Sequence, residues 1–348
     1  MTYTKTLNKN LKYHEAVGNI LTLEMKRNKK IFIVGLEVNY SSKVFKTLEE
    51  PYRFFKKRFI QTPAMENSLC NILAGAAISG IRPVFVNNRC DFLLLSFDSI
   101  VNVIDKWKYM FDANAGSCPV VITAIIGKGW GQGATHSQSF HNFFSRLSGF
   151  NVFLPTFPDS VRGVYKYALR SSSPSIILQH RSLLNLENQK KINYKTGKSN
   201  IILTGNDLLI IAISYGTIQA LNVAKILLRE YQKKISIIDL VSIRPLDIKT
   251  IIQMSKKHRN IIILDIDHTF AGISSEIECV IKNNFKDKEI KKIGNKFMPS
   301  PVSQELEKEF YPSDHEILIQ SCKMLKLKIK LKQKITKKYY DYKAQGPY

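Results

Sequence analysis

The sequence predicts an α/β protein of two domains, each a mostly parallel sheet flanked by helices. Three observations lead there. Short apolar runs of strand character alternate with segments of helical period along most of the chain. The alternation is interrupted once, by a polar Lys/Asn-rich stretch from Leu183 to Ile201, and then restarts. At 348 residues the chain is longer than one typical domain, and 44% hydrophobic content is enough for two cores.

The elements follow in order. Tyr13 to Arg27 carries apolar residues at Ala16, Val17, Ile20, Leu21 and Leu23, a helical spacing. Ile31 to Val38 is a continuous apolar run, as expected of a strand buried on both faces. Ser41 to Ile60 shows no clear period and reads as a loop with one short helix. Asn67 to Ser79 returns to helical period, with Gly80 as its stop and Pro83 beyond. Val84 to Val86 is a short strand, and Phe92 to Tyr109 a helix. Cys118 to Ile126, Asn151 to Pro155 and Ser175 to His180 read as strands, and Asp159 caps a helix running to Arg170.

After the linker the same rhythm gives strands at Leu208–Ile213, Ile235–Leu240 and Asn260–Leu264. Helices are expected at Thr217–Tyr231, Leu246–Lys257 and Ile273–Asn283, with a last one at Ser313–Leu325. The domains are therefore set at 1–182 and 205–325, with a linker at 183–204 and a basic tail at 326–348.

Composition narrows the function. The net charge is +24, from 52 basic and 28 acidic residues. No Arg/Lys stripe interleaves with aromatics, so the charge reads as compositional, and specific nucleic-acid binding is not expected. No apolar run is long enough to cross a membrane, and the first residues lack the apolar core of a secretory signal. Five scattered cysteines, without a CxxC, read as reduced thiols of a cytoplasmic protein.

Two stretches could carry chemistry. Glu66 stands where the Thr62-Pro63 turn becomes a helix. It reads either as a first-turn acid favouring the helix dipole or as a carboxylate poised for proton transfer. The second stretch, Gly127 to Gly133, breaks regular structure with four glycines in seven residues and leads into Thr135-His136-Ser137-Gln138. A lone His is usually structural. His136, however, follows the carboxyl end of a predicted parallel strand, where open α/β sheets place ligands. His141, among aromatics, reads equally either way. The remaining histidines have no metal-ligand spacing, and no HExxH, GxSxG, GxGxxG or Walker sequence is present.

Together TPAMEN, AGAAISGIRPVFV, DFLLLSFDSIVN and IIGKGWGQGATHSQSFHNFFSRLSGFNVFLP resemble the β subunit of the E1 component of 2-oxo acid dehydrogenases. IRPLD and LDIDHTFAGISSEI resemble that family's C-terminal domain, and the likeness runs from about residue 10 to 325. The resemblance implies a pyrimidine-binding domain followed by a transketolase C-terminal-like domain. It implies thiamine diphosphate as cofactor, pyruvate or another 2-oxo acid as substrate, and transfer of the acyl unit to an acceptor such as a lipoyl-bearing acyltransferase. Glu66 falls on the carboxylate that hydrogen-bonds the aminopyrimidine N1′ and activates the cofactor. Phe92 falls on the aromatic that packs against that ring; otherwise it is simply core. His136 falls on the His that assists at the substrate.

The chain departs from the family pattern at Ala64-Met65, Val86, Arg146 and Asp265-Ile266-Asp267-His268. It also lacks the GDG and following Asn that hold the diphosphate and Mg²⁺; Asn87-Asn88 has no such partner, and no metal ligands are assigned. The resemblance thus implies an E1 α-type subunit that completes the site in an α₂β₂ assembly. The rival expectations are a transketolase- or synthase-type half-enzyme with a carbon acceptor, and a scaffold that kept only the fold.

Overall fold

The computed structural model describes residues 11–111, 116–127, 131–187 and 192–329. Residues 128–130, in the middle of the glycine run, and the basic tail from 330 onward lie outside them.

The first half builds helix α1 (Tyr13–Arg27), strand β1 (Ile31–Gly35), helix α2 (Glu49–Phe55), strand β2 (Phe59–Gln61), helix α3 (Glu66–Ile78) and strand β3 (Arg82–Asn87). Short helices α4 (Cys90–Leu93) and α5 (Trp107–Met110) follow, then β4 (Val121–Ile126), α6 (His141–Phe144), β5 (Asn151–Phe153), α7 (Pro158–Arg170) and β6 (Ser175–His180). The second half adds β7 (Asn200–Leu203), β8 (Leu208–Ala212), α8 (Tyr215–Tyr231), β9 (Ile235–Asp239), β10 (Ser242–Arg244), α9 (Ile248–Lys256) and β11 (Asn260–His268). It closes with α10 (Ile273–Asn284), β12 (Glu289–Asn295), α11 (Gln304–Phe310) and α12 (Asp314–Met324).

These strands form two sheets, of order β10-β5-β6-β4-β3-β1-β2 and β12-β11-β8-β9-β7. Every neighbour pair is parallel except β10 with β5 and β7 with β9. The central strands β4, β6, β8 and β9 are buried at every position, as expected of largely apolar strands covered on both faces.

The two sheets are not independent bodies. One apolar cluster contains Phe85, Ile122 and Ile176 of the first sheet together with Leu209, Ile211 and Ile263 of the second. β10 leaves the second half of the chain and adds an antiparallel edge to the first sheet, with Ser242 opposite Phe153. Polar bonds stitch the same boundary. The Thr156 hydroxyl donates to Asp239 Oδ1 at 2.6 Å, and the Asn200 amide donates to Asp239 Oδ2 at 3.1 Å.

Several sequence expectations need correction. Phe92 to Tyr109 is not one helix: α4 passes through a 3₁₀ turn at Leu94–Ser96 and a π-helical segment at Ser99–Ile104 before α5. The cause is competition from tertiary bonds, since Ser96 and Ser99 hydroxyls donate to Glu66 and Asn67 and so pull this segment onto the start of α3. Asp159 does not cap α7. Phe157 is the N-cap with Pro158 at the first position, and the Asp159 carboxylate accepts from the Ile192 N–H at 2.9 Å. The stretch set down as linker contributes edge strand β7. Strands β2, β10 and β12 escaped the sequence reading because they are short or Lys-bearing edge strands without a continuous apolar run. The chain after α12 does not leave the protein at once: Leu325, Leu327 and Ile329 pack against the core of the second sheet.

α3 ends as its sequence predicts. The Gly80 and Ile81 N–H groups bond back to Ala77 and Ala76, and Gly80 sits at φ +89°.

Candidate active site

The parallel arrangement of β2, β1 and β3 brings their carboxyl ends to one edge, and a cavity of about 310 Å³ opens there. Glu66, Phe92 and His136 all line it, although they come from three separate stretches of chain.

Each is placed by identifiable bonds. Glu66 is the first residue of α3, and its backbone carbonyl accepts from the Ser96 hydroxyl at 2.8 Å. One turn on, the Ser99 hydroxyl donates to the Asn67 side chain at 2.8 Å. These contacts fix α4 and the turn after it, hence Phe92, against the start of α3. Phe92 then meets the His136 ring edge-on, with centroids 5.1 Å apart at 90°. The His136 Nδ1 lies 2.8 Å from the Thr135 hydroxyl. Gly133, at φ +66°, allows the turn into this segment: an added Cβ would meet Val302 at 2.5 Å.

Among the described residues no side chain or backbone group donates to the Glu66 carboxylate, while its walls are the apolar Met65, Leu69, Phe85 and Val86. The Glu66 carboxylate as acceptor, the Phe92 ring and the apolar part of the wall match the requirements of an aminopyrimidine ring, in a cavity that Glu37 also lines. The residues present therefore fit the cofactor half that the resemblance implies. Among the described residues no group of three His, Cys, Asp or Glu side chains could hold a metal ion. No described helix is long and apolar enough to cross a membrane.

The structure adds residues the sequence did not single out. Glu37, in left-handed backbone at φ 57°, accepts from the Asn88 amide at 2.7 Å. Lys43 to Lys46 are four consecutive non-glycine residues at φ between 45° and 67°, each costing about 1–2 kcal/mol in this conformation. Burial of Val44 and Leu48 holds the turn and presents Phe45 to the cavity. Arg89 lies buried beside the cavity, and burial, reinforced by the nearby Arg181 charge, pushes its guanidinium down to about 8. Burial raises the Asp91 carboxyl, although Gln138 Nε2 donates to it at 2.9 Å. The signal for Arg89 and Asp91 was the polar run Asn87 to Asp91, which begins at the end of a buried strand.

His141 is resolved as structural. It is fully buried away from the cavity, with Nε2 2.9 Å from Asp265 Oδ1. The departures are also placed: Val86 forms part of the cavity wall, Arg146 is exposed, and Asp265 is the partner of His141.

Comparison with known proteins accounts for this architecture. Residues 9–187 match the family described as transketolase, pyrimidine binding domain, and residues 197–317 match transketolase, C-terminal domain. The pair defines a transketolase-type, thiamine-diphosphate-dependent class of protein. A pyruvate dehydrogenase E1 component subunit beta from Gracilaria tenuistipitata var. liui is 31% identical over 294 residues, covering 82% of this chain and 90% of the relative. The mitochondrial counterpart from Chaetomium thermophilum is 29% identical over 326 residues, 90% of this chain and 85% of that one. The chain belongs to the family of E1 β subunits typified by these pyruvate dehydrogenase components. Among solved structures, a split-gene transketolase crystallised as an inactive β₄ tetramer shares the fold with a TM-score of 0.74 at 20% identity, covering 92% of this chain and all of that one. A transketolase mutant from Pichia stipitis gives 0.69 at 14% identity, and this chain spans 46% of it.

Proposed function

We propose that the chain is the pyrimidine-binding half of a thiamine-diphosphate enzyme that decarboxylates a 2-oxo acid such as pyruvate, completed by an α-type subunit in an α₂β₂ assembly. The observation that carries this reading is the convergence of Glu66, Phe92 and His136 on one cavity at the carboxyl ends of β1, β2 and β3. When bound, thiamine diphosphate would supply an acidic carbon, nucleophilic toward the 2-oxo carbonyl once deprotonated, and an electron sink for the decarboxylation.

The chain's own residues have three tasks. Glu66 holds the proton shared with N1′ of the aminopyrimidine. Its apolar walls favour that partner over water. Phe92 offers a ring face against the pyrimidine and sets the position of His136 through their edge contact. His136 moves a proton at the substrate or at the incoming acceptor, which in this reading is a lipoyl group. The diphosphate and Mg²⁺ fall to the α-type partner, because this sequence has no GDG motif. A reducing compartment, the cytoplasm, belongs to the same proposal and is supported by the five free cysteines.

The test is hydrogen–deuterium exchange at the cofactor C2 in the reconstituted assembly, wild type against Glu66→Gln. The amide keeps the shape but cannot hold the shared proton. Exchange slower by orders of magnitude supports the role. Equal rates would mean that Glu66 is an ordinary helix-start acid.

A further inference from the structure

His136 is held mainly by the residues that follow it. The backbone entering it contains Gly131 and Gly133, both at positive φ, and glycine restrains a chain least of all residues. Beyond it, three successive contacts join the chain to the segment that carries Phe92. The Cys90 thiol donates to the Ser139 carbonyl at 3.4 Å, Gln138 Nε2 donates to Asp91 Oδ1 at 2.9 Å, and the Phe92 and His136 rings meet with centroids 5.1 Å apart. Asp91 stands immediately before Phe92, and Gln138 two residues after His136.

The middle contact is the strongest of the three. A thiol is a weak donor, and a ring edge contact adds little to the area it buries. A hydrogen bond to a carboxylate is roughly twice as strong as one between neutral groups. The bond is also kept at a cost to the fold. Asp91 Oδ2 is buried and has no hydrogen-bond partner among the described residues. Burial raises the Asp91 carboxyl against the bonds from Gln138 and the nearby Arg89 charge. A fold gains little from a buried carboxyl satisfied on one oxygen, and such features persist where position matters. Neither Asp91 nor Gln138 is among the residues that line the cavity, so the pair can act on it only through Phe92 and His136.

We propose that Gln138 and Asp91 are a positioning pair, whose hydrogen bond sets where the His136 ring stands against Phe92 at the cavity wall. This deepens the function proposed above and rests on it for its kinetic consequence alone.

The first test reads the His136 ring by NMR in the full-length chain alone, so neither cofactor nor partner enters. The Cε1–H signal of His136 is the one that His136→Gln removes. The ring current of Phe92 displaces it, and Phe92→Leu gives its value without that neighbour. Gln138→Met, which keeps the length but has no donor, and Asp91→Ala should each move the signal toward that value. Asp91→Asn keeps an oxygen for the Gln138 amide and should leave the signal close to its wild-type position. Should Asp91→Ala unfold, all seven histidine signals would move together, and Gln138→Met decides alone. In the assembled enzyme, Gln138→Met and Asp91→Ala should lower kcat by about 10²-fold for a displacement near 1 Å, with KM little changed. Asp91→Asn should restore most of the rate. The double variant should be no slower than the slower single one, since both remove the same bond. An unmoved His136 signal in Gln138→Met overturns the proposal, and so does a signal lost equally in Asp91→Asn and Asp91→Ala. Where His136→Ala slows turnover, a wild-type kcat in Gln138→Met overturns it as well. The NMR result does not depend on the cofactor, so an unmoved signal with slowed C2 exchange in Glu66→Gln would discard the pair alone.

Discussion

His141 Nε2 stands 2.9 Å from Asp265 Oδ1 with both side chains fully buried, and this pair ties the start of α6 to β11. Around it the Asn142 amide donates to Asp267 at 3.1 Å, and the Ser139 hydroxyl donates to the Ile266 carbonyl at 3.2 Å. The segment that begins at His136 is thus fastened to the end of β11 five residues later. Removing one partner strands a buried polar group, so His141→Ala or Asp265→Ala should each cost about 3–5 kcal/mol. The double variant should cost clearly less than the sum, measured by urea unfolding in a double-mutant cycle. Additive losses would show that the two side chains do not act as a pair.

The same pair gives a pH dependence. Burial lowers the His141 pKa, but the Asp265 charge and hydrogen bond, helped by Asp267, outweigh it, and the net direction is upward. A raised histidine stabilises the fold fully below the unfolded value near 6.5 and ceases to do so as pH climbs through the folded value. Stability of the wild type relative to His141→Asn should therefore decline as pH is raised above about 6.5. A difference that grows with pH contradicts the assignment.

Asp239 works in a lower window. It is fully buried among the Thr156 and Thr217 hydroxyls and the Asn200 amide, and burial pushes its carboxyl up to about 6. An unfolded carboxyl titrates near 3.9, so the folded state retains a proton that the unfolded chain releases. Stability is lost as pH rises between the two values, by about 3 kcal/mol over the whole interval. Asp239→Asn should remove that slope. Unfolding midpoints of the two proteins from pH 4 to 7 decide it, and parallel curves would refute it.

How much of this was legible in the sequence depends on what each residue answers to. Buried parallel strands such as Val121–Ile126 and Leu208–Ala212 announce themselves, because both faces must be apolar. β10 does not, because three residues pairing across to Phe153 leave no local pattern. Glu66, Phe92 and His136 were visible through the motifs around them, and their meeting in one cavity agrees with that reading. Phe45 was not: its place depends on a strained left-handed turn held by the burial of Val44 and Leu48, a tertiary effect. His141 and Asp265 are 124 residues apart, and only the packing of one sheet on the other couples them.

Cofactor affinity should be split between two chains. The cavity offers an acceptor and apolar walls for one ring, and this sequence has no diphosphate motif. Titration of the chain alone with thiamine diphosphate and Mg²⁺ should give no more than millimolar affinity, of order −4 kcal/mol. Adding the α-type partner should bring micromolar binding, about 4 kcal/mol tighter. Micromolar stoichiometric binding by the single chain would mean the phosphate contacts lie within it.

His136 is the residue whose role separates binding from turnover. It meets Phe92 by an edge contact worth about 0.5–1.5 kcal/mol, and its Nδ1 is satisfied locally by Thr135. Neither contact is part of a buried network, so His136→Ala should fold and assemble normally. The aminopyrimidine rests on Glu66 and Phe92 in the proposed arrangement, so cofactor affinity should change little. Proton transfer at the substrate should be lost, lowering kcat by about 10²–10⁴-fold. Steady-state kinetics of the reconstituted enzyme, run beside a cofactor titration, separate the two effects. Wild-type turnover in a properly assembled variant would make His136 a wall of the cavity and no more. Weakened cofactor binding at unchanged kcat would move the pyrimidine site from Glu66 toward the glycine loop.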